Sequence, residues 1–401
     1  MLKKETKQKN LFSVVNICML LMCLASMNFF NKYFYFVVAA FFLCLLLNPK
    51  ILFNFQVVTL IAFSLSILAF STSSEISISY VLKPFVYPLC YIMGMGISTK
   101  HNEQNEEKEE TIIKRIILVL SAGMLIHYLL NWLTNFSGDQ IRNTVDFWTK
   151  KPMAATGQGL LACFALACAI AIFTSKSKWI FKILSFSLIL LIFIYNLTLG
   201  GRTLFLFAIV VLVVAVLHKM LSDEEGTAAI VLILGILALS IFLMYRFDFL
   251  NLRTFIENST FYERFFGDAV NQIDEDNRFY KKSLYLSNFF EYPFGGLNFR
   301  EKFGYAHDIF LDTYDESGIF ALIAVFLYIV SSIIGLFKTI KNKNISFKLR
   351  QIVLCVYVIS YMAFMIEPIL QGAPWFFASF CIMDGALTVI NNESANINSE
   401  I

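Results

Sequence analysis

Apolar residues run through this chain in long blocks, with polar residues gathered in the gaps between them. A helix that crosses a bilayer needs about 20 predominantly apolar residues. Twelve blocks approach that length, at 11–30, 33–48, 51–71, 78–98, 112–134, 154–174, 178–198, 203–219, 227–245, 317–337, 350–368 and 373–390. The break before the second is short, so the first two blocks are predicted to form a tight helical hairpin. Residues 99–111 are polar throughout and read as a solvated linker. Residues 246–306 are different, because they hold seventeen aromatics together with Arg253, Arg264, Arg278, Lys281, Lys282 and Arg300. Disordered segments are poor in aromatics. This loop is therefore predicted to fold, with amphipathic helices lying on the membrane face. Within it Arg278, Lys282, Tyr285 and Phe289 fall on one helical stripe.

The predicted architecture is an all-α polytopic membrane protein of about twelve helices. An N-terminal bundle of about nine helices covers 1–245, a large loop covers 246–306, and a C-terminal bundle of about three helices covers 307–401.

Composition agrees. Of 401 residues, 58% are hydrophobic and 15% charged, and mean hydropathy is +0.68. A soluble chain carries about 25% charged residues. So few charges exclude a soluble globular enzyme, a disordered protein and a nucleic-acid binder. Lys and Arg set the orientation. With the N-terminus inside, eighteen basic residues fall in inner segments and five in the short outer ones, which favours both termini in the cytoplasm. The eight cysteines all sit in apolar blocks without histidine at ligand spacing, so neither a zinc site nor a disulfide framework is expected. The first block lacks a small-residue cleavage site and reads as a retained helix.

Many common chemistries are missing from the pattern. The sequence has no GxxxxGK[ST], no HExxH, no GxSxG and no paired carboxylates within a block. Two acids fall within blocks: Glu367 before Pro368, and Asp384 beside Gly385. Either is a functional charge or a hydrated interfacial one. The remaining candidates are cations placed at the outer face. Arg202 follows a Gly200-Gly201 turn, as an interfacial anchor or an anion ligand. Arg142 lies in a short outer loop. Arg278 lies on the loop stripe. Lys83 sits in the outer third of the fourth block before Pro84, where it snorkels outward or helps hold an anion. His307 is the one histidine placed near the outer face. Guanidinium forks match phosphate oxygens, and an imidazole suits the removal of a hydroxyl proton. A lipid diphosphate leaves once arginines stabilise its developing charge. That chemistry needs no metal, cofactor or ATP.

Three local patterns then come together: Thr198-Leu199-Gly200-Gly201-Arg202-Thr203 after a middle block; Arg278 followed by Pro293, Gly295 and Gly296; and His307-Asp308-Ile309-Phe310-Leu311 followed by Glu316, Ser317 and Gly318. With the single large loop in the second half, they resemble the O-antigen ligase and O-antigen polymerase superfamily of the bacterial inner membrane. Asp308 stands where that pattern usually has Asn, and Gly201 where it has Ser or Thr. Asp308 either raises the basicity of a nearby imidazole or caps the following helix.

The resemblance implies periplasmic-face, metal-independent, inverting glycosyl transfer from an undecaprenyl-diphosphate glycan. The acceptor is lipid A core for a ligase, or a second lipid-linked repeat unit for a polymerase; the loop's modest size and the His-Asp variant lean toward polymerase. His307 would be the base, and Arg202 and Arg278 would bind the diphosphate. Arg142 is the third candidate, with Arg264 and Lys83 in reserve. Membrane lipids surround the chain. The rival reading is a flippase or other transporter of lipid-linked oligosaccharide, although internal repeats and midplane polar residues are few.

Overall fold

Long apolar blocks with few interior Gly or Pro satisfy their backbone groups only as helices once water is excluded. A computed structural model of the chain describes residues 2–47, 53–70, 82–102, 109–135, 143–222, 227–259, 261–262, 278–295, 302 and 306–399. Each of the twelve blocks carries a helix. In chain order the helices are α1 (Leu2–Ser26), α2 (Tyr33–Leu47), α3 (Phe55–Phe70), α4 (Val86–Asn102), α5 (Glu109–Asn135), α6 (Ala155–Thr174), α7 (Trp179–Leu199), α8 (Arg202–Leu221), α9 (Thr227–Arg246), the short α10 (Leu252–Glu257), α11 (Arg278–Ser287), α12 (Ile309–Lys341), α13 (Phe347–Ile366), the single turn α14 (Ile369–Gly372) and α15 (Pro374–Ser399). Among the described residues, seven helices are long and apolar enough to cross a membrane: Glu110–Asn135, α6, α7, α8, α12, α13 and Pro374–Asn392. The chain is thus an all-α membrane protein in its main architecture.

One element departs from that. Asn143–Val145 (β1) pairs antiparallel with Pro152–Ala154 (β2), with Thr144 opposite Met153. Pro152 and the polar turn between the strands keep this segment out of a helix.

Contacts divide the chain into two compact units that ignore chain order. Unit 1 gathers Met1–Ile126, Arg278–Ser346 and Ser360–Ile401; unit 2 gathers His127–Asn277 and Phe347–Ile359. The sequence division at 245 and 306 follows chain order instead.

In unit 1, α1 and α2 form the expected hairpin, α12 lies along α3, and α15 lies along α4. The last pair meets through glycines. A Cβ at Gly94 would overlap the main-chain oxygen of Ile382, and one at Gly385 would overlap that of Tyr91. Backbones come this close only where a side chain is missing. Beside this crossing Tyr91 and Thr388 share a 2.7 Å hydrogen bond between their hydroxyls.

In unit 2, α6 packs against both α7 and α8. Ala, Gly and Cys dominate its sequence, and sixteen of its residues are buried. Its last carbonyl, at Thr174, accepts a hydrogen bond from the buried Lys219 ammonium at 3.2 Å, a cation at a helix C-terminus. No disulfide joins the eight cysteines, all of which lie among the described residues.

Candidate active site

The sequence His307 to Gly318 builds a held turn within unit 1. Asp308 is the N-cap of α12, its Oδ1 accepting from the amides of Phe310 (3.0 Å) and Leu311 (3.3 Å). This satisfies donors that a helix start leaves open. One turn on, the buried Asp312 reaches back, accepting from the Ala306 amide at 3.0 Å and the Asp308 amide at 3.2 Å. His307 is clasped between those two amides. Its backbone takes φ 58°, a left-handed conformation that histidine adopts infrequently. Its side chain is half-buried. Asn28, Phe30, Asn31, Lys150, Asp248 and Asn251 share this left-handed region, and His307 differs in being held there by two carboxylates.

The amphipathic loop helix docks on this turn. α11 begins at Arg278, and Lys282, one turn further, places its ammonium 2.9 Å from Asp308 Oδ2 and 2.8 Å from the main-chain oxygen of Met365. Beneath it Tyr285, Ala306 and Tyr314 are fully buried, with Phe289, Tyr292 and Leu311 packed around them. The Tyr314 hydroxyl donates to the carbonyls of Phe289 and Tyr292, and the Tyr314 and Phe289 rings stack with centroids 4.2 Å apart. Tyr285, Phe289 and Tyr292 thus help fold the loop. Phe247, Phe249, Phe255, Tyr280, Phe290 and Phe294 remain exposed.

Two motif glycines meet here. Gly318 (φ 74°) breaks α12, and a Cβ on it would overlap the backbone of Pro293 and Phe294. A Cβ on Gly295 (φ 64°) would overlap the main-chain oxygens of Tyr314 and Asp315. The Ile319 amide donates to the Pro293 carbonyl at 2.9 Å. The spacing of these residues in the sequence thus reflects one backbone junction.

The Arg202 turn lies in unit 2. α7 ends with Gly200 at φ 64°, and α8 starts at Arg202, whose side chain is half-buried. The buried Asn196 staples the turn, its Nδ2 donating to the Gly201 carbonyl at 2.6 Å while its Oδ1 occupies the space where a Cβ on residue 201 would go. Residue 201 is a glycine where Asn196 leaves little room for a side chain.

Among the described residues, then, the structure joins α11, through Lys282, to Asp308 beside His307 within unit 1, and it sets Arg202 in unit 2. Arg142 and Arg264 lie outside the described residues. Lys83 is an exposed residue in a 3₁₀ turn, Lys83–Phe85, that leads directly into α4. Pro84 follows it and has no amide to continue an earlier helix; its carbonyl accepts from Ser64 Oγ at 2.8 Å. Glu367 is buried at the C-cap of α13. Asp384 is buried within α15 and accepts from Ser332 Oγ at 2.9 Å; Tyr361 in turn donates to Ser332 at 3.1 Å.

Sequence reading missed a second constellation. His127 Nε2 lies 2.6 Å from Asp146 Oδ2, with the imidazole 1% exposed. Asp146 Oδ1 also caps the hairpin turn, accepting from the Trp148 and Thr149 amides and the Thr149 hydroxyl. Burial would raise this carboxyl, but the bonds from His127 and Thr149 outweigh it and lower it to about 2. Asn131, Gln158 and Thr144 continue the network at 2.8–2.9 Å. A His inside an apolar block with its Asp nineteen positions on matches no motif; a polar stripe of His127, Asn131 and Asn135 at helical spacing was the available signal. No protein-family model matches this sequence, and no curated protein matches it either.

Proposed function

We propose that the chain is a polytopic inner-membrane glycosyltransferase of about twelve spans, with its termini in the cytoplasm and its large loop in the periplasm. It transfers an undecaprenyl-diphosphate-linked glycan to an acceptor hydroxyl, as an O-antigen repeat-unit polymerase or ligase. One observation carries the reading: a histidine held in left-handed backbone by Asp308 and Asp312, on a turn to which the helix starting at Arg278 is tied. In this scheme His307 takes the proton from the acceptor hydroxyl as its oxygen bonds to the anomeric carbon. The bond from that carbon to the diphosphate breaks, and the polyprenyl diphosphate leaves with the electron pair. Arg278 stabilises the charge that develops on it. A single displacement inverts the anomeric centre.

The test is transfer by purified protein in liposomes, with lipid-linked repeat unit and lipid A core offered as separate acceptors. His307→Ala is expected to lower transfer by about 10²–10⁴-fold, the usual contribution of a general base, at unchanged protein level; transfer at the wild-type rate removes the proposed base. A transporter reading has the Asp384, Ser332 and Tyr361 hydrogen-bonded group in its favour, since intramembrane acids often serve transport. Protein that moves labelled lipid-linked oligosaccharide between leaflets without extending it would establish that alternative.

A further inference from the structure

The geometry points to Lys282 as a positioning residue, a clamp that sets the helix beginning at Arg278 against the turn carrying His307. This rests on the glycan-transfer reading above. The ammonium ties three elements together: α11, which bears it; the start of α12, through Asp308 at 2.9 Å; and the end of α13, through the Met365 carbonyl at 2.8 Å. Both bonds are charge-assisted and of near-ideal length.

The Asp308 side chain is 6% exposed and that of Lys282 26%. A pair this far from water is strongly disturbed when one partner goes, because the other charge stays behind. Asp308 has no slack either. Its other oxygen holds the Phe310 and Leu311 amides, so it cannot turn from Lys282 without uncapping α12. His307 is the next residue back, and Asp312 fixes the amides on both sides of it. Movement of α11 is therefore passed to the imidazole through two short, rigid links. A displacement near 1 Å at a reacting group costs about 10²-fold in rate.

The test is a double-mutant cycle in the full-length protein. Asp308→Asn keeps the side chain's shape and its capping oxygen but turns an amide toward Lys282, donor against donor. Lys282→Gln leaves Asp308 without its cation. Each is expected to lower kcat for glycan transfer about 10²-fold, with KM for the donor within about threefold of wild type. The double variant is expected to recover to within about tenfold of wild type, and Lys282→Arg, which keeps the charge, to stay within about tenfold as well. Hydrogen exchange in nanodiscs gives a readout independent of transfer: amides of 278–287 and 306–312 exchange faster in each single variant and slow again in the double.

Wild-type kcat in both single variants overturns the clamp, as does a double variant no better than the worse single. If exchange follows the expected pattern but the wild-type protein transfers no glycan to either acceptor, the glycan-transfer reading falls and takes the catalytic purpose of Lys282 with it.

Discussion

His307 shows how little of a side chain's placement depends on its own chemistry. Two carboxylates and four amides decide its backbone, and all of them come from residues 306–312. At this scale Asp308 and Gly201 each have a defined partner. Asp308 faces Lys282, and Gly201 faces Asn196. Placing Thr at 201 pushes its Cβ into the Asn196 amide. Gly201→Thr is expected to destabilise unit 2 by about 1–3 kcal/mol, the usual cost of overpacking, read as a lower thermal midpoint in detergent. Gly318→Ala adds a Cβ at φ 74° against the Pro293 backbone. It is expected to cost about 1–3 kcal/mol in backbone strain alone and to release the Ile319 to Pro293 hydrogen bond, visible as faster exchange of the Ile319 amide. The glycines and the histidine were legible as spaced residues. Asn196 was not, because the group it replaces is identified only by the space it fills.

Elements differ in how openly the sequence announces them. α11 was legible, since Arg278, Lys282 and Tyr285 recur at helical spacing and its polar and apolar faces separate cleanly. The β1–β2 hairpin was not. Its strands are three residues each, too short for alternation to stand out, and its stability comes from α5 through His127, Asn131 and Asn135. That dependence gives a pH signature. Asp146 is lowered from an ordinary 3.8 to about 2, so its stabilisation is complete above the ordinary value and fades as pH falls toward the folded one. Between pH 4 and pH 2, Asp146→Asn is therefore expected to flatten the loss of thermal midpoint relative to wild type, measured by scanning fluorimetry in detergent. An unchanged slope in the variant would show that other carboxyls set the acid limit.

For the whole molecule, long apolar blocks and composition together were enough to read an all-α membrane chain. Twelve apolar blocks each carry a helix, and among the described residues seven of these meet the length and apolarity of a crossing. Three of the others, Val14–Ser26, Tyr33–Leu46 and Phe55–Phe70, are apolar yet shorter, so block counting alone does not fix the number of crossings. The division into units was not legible, because block order says nothing of which helices touch. Charge does bear on topology. Lys338, Lys341, Lys343 and Lys348 cluster around the α12–α13 connection, and reporter fusions after Ser222 and after Asn342 are expected to read as cytoplasmic while one after Ser287 reads as periplasmic. A cytoplasmic reading after Ser287 would put His307 on the wrong side for a periplasmic acceptor.

The glycine crossing of α4 and α15 has a consequence for how the chain is made. Tyr91 and Thr388 are 297 positions apart, and ribosomes add roughly 5–20 residues per second. The tight face of α4 around Gly94 thus waits on the order of tens of seconds for the helix that covers it. During that interval the early helices are a client for whatever guards unfinished membrane proteins. A nonsense mutation shortly before Pro374 would leave that wait without an end, and the expected result is degradation of the fragment rather than a shortened, partly active protein.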